Sequence, residues 1–234
     1  MGLTHGINIV KNGLILWNDF TSKRCYPGTG TTVTDLSPQN LSATTNGVTF
    51  QSSNISASFN FDGSADYISY GNNSNLDIGT SDFTIDAWFI DSTDGGGWEG
   101  IYTKGTSGVT GYGMQVSDTD HLVLSLQGSG GSNTHYGYGE SSCELTHNVL
   151  YYGAVTADRD GLGKIYINNE LKHSADISSN NGSANSTQVA SIGSYSNSDF
   201  WYQGNIYCIR IYNRVLSPKE INQNYIAGKG RFGL

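Results

Sequence analysis

Cationic side chains are scarce in this sequence: Lys and Arg together number 12 against 20 Asp and Glu, for a net charge of −8. Nucleic acid is held largely by clustered cations that neutralise phosphates, and no basic stripe is present, so a nucleic-acid partner is excluded. Charged residues of either sign make up only 14% of the chain, which together with abundant aromatics opposes disorder. Cysteines number three, Cys25, Cys143 and Cys208, at wide spacing and without a Cys-x-x-Cys pair. An odd, scattered set of this kind indicates neither a disulfide framework nor a zinc site, and the thiols are expected to be reduced. No apolar run approaches the ~20 residues that a membrane helix needs. The start Met1-Gly2-Leu3-Thr4-His5 has neither the charged nor the apolar region of an export signal. The expectation is a protein made in the cytoplasm, without membrane insertion.

What the chain does contain is glycine, 31 residues of it, with Ser, Asn, Thr and a 12% share of aromatics. Helices favour Ala, Leu, Glu, Lys and Arg instead, so this composition reads as all-β with many turns. Alternation supports that reading: Phe83, Ile85, Ala87 and Phe89 share one face of a strand, and Thr84, Asp86 and Trp88 share the other. Tyr112, Met114 and Val116 form a second such face, and Leu122, Leu124 and Leu126 a third, each read as one side of a half-buried strand. Residues 164–172 predict a hairpin turning at Asn168-Asn169, because Asn tolerates the positive φ that tight primed turns demand. A helix is predicted from Ser217, which caps it, with Pro218 at the first position, Glu220 completing a capping box and Gly228 as the stop. Many antiparallel strands with one terminal helix predict a two-sheet sandwich, and 234 residues suit one large β domain.

Specific stretches then carry a resemblance. Phe59–Ile68, with its Phe-Asp-Gly-x-x-Asp-Tyr turn, Phe83–Trp88, Gly163–Asn169 and above all Gly204–Ser217 followed by Glu220-Ile221 resemble the laminin G-like, concanavalin A-type jelly-roll family. That implies an all-β antiparallel jelly roll with one short C-terminal helix, spanning residues 1–234 as a single domain. Ile9–Trp17, Tyr26–Thr32, Asp35-Leu36-Ser37 and the closing Lys229–Leu234 look similar to jelly-roll proteins of marine tailed bacteriophages. This second likeness implies a non-enzymatic virion protein, a decoration, fibre or tail component. Its expected partners are other virion proteins or further copies of itself, and it would be made in the host cytoplasm. The alternative is a carbohydrate-binding module that reads host-surface glycans.

Candidate chemistry follows from residue type. Retaining glycosidases of this shape need two carboxylates about 5–5.5 Å apart. Asp82 and Asp86 have a suitable spacing, but the resemblance makes the Asp86 position acidic in non-enzymatic relatives too, and a Glu-x-Asp-x-Glu pattern is missing, so no catalytic residue is assigned. No cofactor is required. Calcium is the one candidate, with Asp62 and Asp66 as ligands implied by the family's rim turn, although both also suit plain turn capping. Tyr207 and Cys208 stand where the resemblance leads one to expect further acidic residues. Sugars are gripped by exposed aromatics beside Asn, Asp and backbone groups. Trp98, Tyr136, Tyr138, Phe200 and Trp201 are therefore the candidate glycan- or protein-contacting residues, whereas Tyr202 is assigned to packing. Residues 228–234 are read as a flexible tail whose Arg231 and Phe232 dock on a neighbouring subunit.

Overall fold

Alternating apolar side chains give each strand one face to bury, and in this protein that burial is shared between two facing sheets. The computed structural model describes residues 8–52, 56–93, 96–105, 109–232 and 234, so the readings made on residues 1–7 lie outside it. The first eight strands are β1 (Leu14–Asp19), β2 (Thr32–Thr34), β3 (Ser42–Asn46), β4 (Thr49–Gln51), β5 (Ser58–Asp62), β6 (Tyr67–Gly71), β7 (Phe83–Asp91) and β8 (Glu99–Lys104). They are followed by β9 (Gly111–Val116), β10 (Leu122–Gln127), β11 (Thr134–Tyr136), β12 (Leu150–Ala157), β13 (Leu162–Ile167), β14 (Glu170–Asp176), β15 (Ala190–Ile192) and β16 (Gln203–Tyr212). Among the described residues a single α-helix, α1, runs over Pro218–Lys229.

The front sheet has the order β14-β13-β12-β7-β16-β5-β4, with β1 also paired to β16; the back sheet runs β11-β10-β9-β8-β15-β6-β3-β2. Phe83, Ile85, Ala87 and Phe89 from the front meet Tyr112, Met114, Val116, Leu122 and Leu124 from the back in one continuous core, as their alternation predicts. The two-sheet antiparallel architecture with a C-terminal helix is thus the one expected. The hairpin turn also falls as predicted, with Asn168 and Asn169 at φ +51° and +72° between β13 and β14.

Strand β7 departs from the half-buried expectation, because its second face is covered as well. Trp88 on that face packs with Tyr152, Tyr166, Cys208, Tyr212, Leu216 and Ile221, a separate apolar layer beneath α1 and the segment leading into β1. Within the layer sits an ion pair: Arg210 Nε donates to Asp86 Oδ1 at 2.6 Å, and both side chains are almost fully buried. Asn224 of α1 completes the arrangement by donating to Asp86 Oδ2 at 2.8 Å and accepting the Val10 amide at 2.9 Å.

Helix α1 starts as predicted, with the Ser217–Glu220 capping box formed and Pro218 in the first turn. Hydrogen bonds and charge from Arg214 hold the Glu220 carboxyl low, at about 2. Gly228 does not stop the helix. It lies within the last turn, where an added Cβ would come within 2.4 Å of Trp88 Nε1, so the glycine serves close helix-to-sheet approach and α1 continues to Lys229. Residues 228–232, expected to belong to a flexible tail, are packed against the sheet. Gly230–Phe232 forms a 3-10 turn, Arg231 binds both oxygens of Asp19 at 2.8 and 2.7 Å, and Phe232 lies 4.8 Å from Trp88 and edge-on to Tyr207. Within the chain, Arg231 and Phe232 dock on Asp19, Trp88 and Tyr207. The cause is the wide outer face of Trp88, which needs apolar cover, and the nearly buried Asp19, which needs a counter-charge.

Removing these contacts is expected to cost stability. The double variant R231A/F232A should lose about 2–3 kcal/mol, lowering the melting temperature by roughly 5–10 °C in a chain of this size. Thermal unfolding followed by circular dichroism checks this, and an unchanged midpoint would show that the segment contributes nothing to the fold.

Candidate functional site

Chain crossings between the sheets bring functional side chains to one rim. Strand β7 ends at Asp91 in the front sheet and β8 begins at Glu99 in the back sheet, while β16 opens at Gln203 beside them. An open cleft of about 490 Å³ lies there, lined by Thr93, Trp98, Glu99, Asp118, Asp199, Phe200, Trp201 and Gln203, with Gly63, Gly96 and Gly97.

Three of the five predicted aromatics line this cleft together. Trp98 is propped from behind by Tyr138, stacked at 5.4 Å and 24°, and by His135 at 4.3 Å. Trp201 stacks on Tyr67 at 6.1 Å and 23°. Phe200 meets Tyr195 edge-on at 5.2 Å and holds φ at +48°, a conformation strained for a bulky side chain. The Phe200 carbonyl accepts the Gly100 amide at 2.9 Å, which helps to fix the segment. Tyr138 thus extends the aromatic surface, whereas Tyr136 is half-buried against the main core and does not line the cleft. Tyr202 is fully buried and donates to the Ile90 carbonyl at 2.8 Å, the packing role expected of it.

The floor of the cleft carries a feature that the sequence reading missed. Glu99 and Asp91 are both buried and interact with each other, with Glu99 accepting the Gln203 amide at 3.2 Å and Asp91 the Thr93 amide at 3.3 Å. Burial, followed by the charge of Asp91, pushes the Glu99 carboxyl up to about 8. Burial likewise lifts Asp91 to about 6. Two abutting carboxyls in low dielectric hold one proton between them near neutrality. The available signal was parity: Asp91 follows Phe83, Ile85, Ala87 and Phe89 on the inward face of β7, a position where a carboxylate is out of place.

Asp62 and Asp66 serve the β5–β6 turn, Asp66 accepting the Asp62 amide at 3.0 Å and Asp62 the Ser64 amide at 2.8 Å. Among the described residues, ligand atoms gather within 4.8 Å of one another at Asp91, Asp120 and His147, and at Asp82, Asp158 and Asp160. Asp62 and Asp66 belong to neither group. Asp82 and Asp86 play separate parts: Asp82 accepts the Arg159 amide at 2.9 Å, while Asp86 is committed to Arg210 and Asn224.

The carboxyl pair makes stability depend on pH. Because Glu99 titrates at about 8 when folded against an ordinary 4.5, the unfolded chain loses this proton first as pH rises. Its contribution is therefore complete below about 4.5 and lost progressively up to about 8. Melting temperature should fall between pH 5 and 8.5, and E99Q should flatten that fall and exceed the parent protein at the alkaline end by about 1–3 kcal/mol. A parallel pH dependence in E99Q would refute the assignment.

The sequence profile of the concanavalin A-like lectin/glucanases superfamily matches residues 62–222. No curated protein sequence matches the chain. Among solved structures it is similar to the binding domain of Paraclostridial Mosquitocidal Protein 1, with a TM-score of 0.71, 16% identity and coverage of 91% of this chain and 52% of that one. The botulinum neurotoxin serotype D ligand binding domain in complex with N-acetylneuraminic acid gives a TM-score of 0.69 at 20% identity, over 92% of this chain and 51% of the other. Trypanosoma rangeli sialidase with the inhibitor DANA gives 0.62 at 14% identity, over 93% of this chain and 33% of that one. The chain therefore spans about half of each toxin domain, and at these identities the likeness is one of fold. Architecture and profile together make the chain a member of the concanavalin A-like lectin/glucanases superfamily, with a laminin G-like jelly roll.

Proposed function

We propose that the protein is a non-enzymatic carbohydrate-binding module and that the rim cleft is its recognition site. The observation that carries this reading is the convergence of Trp98, Phe200 and Trp201 on one open cleft beside Asp118, Asp199 and Gln203. Flat aromatic faces suit the C–H surfaces of sugar rings, and the neighbouring carboxylates and amide suit their hydroxyls. The strained backbone at Phe200 is a cost of the kind that accumulates at ligand sites. Similarity to a toxin domain solved with N-acetylneuraminic acid supports sialylated glycans as the first class to examine.

The carboxyls argue for binding without hydrolysis. Most glycoside hydrolases need a gap of about 5 Å or more between their two acids, sialidases with a tyrosine nucleophile being an exception. Asp91 and Glu99 are a buried pair that interact with each other, and Asp86 is sealed into an ion pair. In the virion setting implied by the bacteriophage resemblance, such a module would attach the particle to host-surface glycans.

A glycan array that includes sialylated and neutral oligosaccharides, followed by calorimetry on hits, is the test. W98A and W201A should each weaken binding by about tenfold or more while leaving the fold intact. An array without hits, or hits that survive both substitutions, would overturn the cleft as a glycan site, and sugar turnover would overturn the non-enzymatic reading.

A further inference from the structure

A second concavity, chemically opposite to the first, lies where the outer face of β1 and β16 meets the end of α1. Its volume is about 180 Å³, the liquid share of about six water molecules. Lys11, Trp17, Asp19, Trp88, Arg210 and Arg231 form its working wall. Three cations thus face one carboxylate, in a chain whose net charge is −8. That carboxylate, Asp19, is already held on both oxygens by Arg231, and Asp86 behind the wall is held by Arg210 Nε.

The hydrogen-bond inventory of the wall is equally one-sided. Trp17 Nε1, Trp88 Nε1 and Arg210 Nη2 are buried N–H groups without an acceptor, and no buried side-chain acceptor among the lining residues lacks a donor. Trp88 and Arg210 are only 1% and 2% exposed, so each unmet N–H carries a desolvation cost. Lys11, at the mouth, rests 4.0 Å above the Trp17 ring, and its pKa is lowered by burial and by the charge of Arg210. Water brings donors as well as acceptors. Sulfate or an ionised carboxylate brings acceptors alone, and phosphate mostly acceptors, together with the negative charge that this wall lacks.

We propose that this cavity is a binding site for a small oxyanion, a tetrahedral phosphate or sulfate or a planar carboxylate, drawn by the charge of Lys11, Arg210 and Arg231 and seated beside Trp17 and Trp88. The site is independent of the glycan cleft. Lys11 precedes β1, while Arg210 and Arg231 come from the last strand and the C-terminal turn, so a bound anion would join the two ends of the described chain and stabilise the native state.

The four tryptophans allow a direct test, because Trp17 and Trp88 belong to this cavity and Trp98 and Trp201 to the cleft. Indole N–H resonances of the ¹⁵N-labelled full chain, assigned by single Trp→Phe variants, are followed while sodium phosphate, sulfate or acetate is added against a chloride control of equal ionic strength. The expected result is saturable movement of the Trp17 and Trp88 signals by at least one of the three anions, with Trp98 and Trp201 still. The geometry preferred is given by whether phosphate and sulfate or acetate binds more tightly. K11Q changes an exposed residue and should reduce the affinity about tenfold. Absence of saturable movement at tens of millimolar, equal movement with chloride, or affinity unchanged in K11Q would overturn the proposal. Movement of Trp98 and Trp201 alone would do so too, while leaving the cleft reading untouched.

Discussion

The structure depends on one buried ion pair. Asp86 and Arg210 face each other across β7 and β16, the two central strands of the front sheet, and Asn224 links their carboxylate to α1 and to the backbone at Val10. Taking both charges out of water is expensive, and hydrophobic replacements of such pairs are often no less stable. What the pair supplies here is definition. A one-residue slip of β16 would place Arg210 on the inward face, among Phe83, Ile85 and Phe89, without a partner. The same carboxylate receives Asn224, so strand register and helix position are set by one group.

Much of this fold was legible along the chain. The alternation in β7, β9 and β10, the Asn168-Asn169 turn and the Ser217–Glu220 cap are local signals, and local physics decided them. Gly228 misled because a glycine near a helix end has two uses, and only Trp88 across the interface selects close approach over termination. Arg231 and Phe232 were read as contacts for a neighbouring subunit, and their contacts within the chain went unseen for the same reason: Asp19, Trp88 and Tyr207 are remote in sequence. Asp86 and Trp88 did offer a hint, since an aromatic and a carboxylate on the supposedly solvated face foretell a second layer.

The site was legible in half. Trp98, Phe200 and Trp201 could be selected because aromatics amid Gly, Ser and Asn have no periodic core to join. That they converge could not be read, since the segments meet only after β8 and β16 are placed in opposite sheets. Asp91 and Glu99 escaped for a related reason, as a proton shared between two strand ends is a property of the rim rather than of either strand. The two concavities that result are complementary in charge and scale, one wide, aromatic and acidic, the other narrow and rich in N–H donors.

The position of β16 also governs the order in which the protein is assembled. It pairs with β7 on one side and with β5 and then β1 on the other, yet it follows all the other described strands in the sequence. Until residues 203–212 exist, the front sheet consists of separate pieces, β14-β13-β12-β7 and β5-β4, with β1 unpaired and long strand edges open to other chains. Nearly every pairing that closes the sheet spans a large stretch of sequence, so the loop-closure entropy falls due late and all at once. A nascent chain of this design has no stable halfway house, and its exposure to misassociation ends only once residues 203–212 are in place.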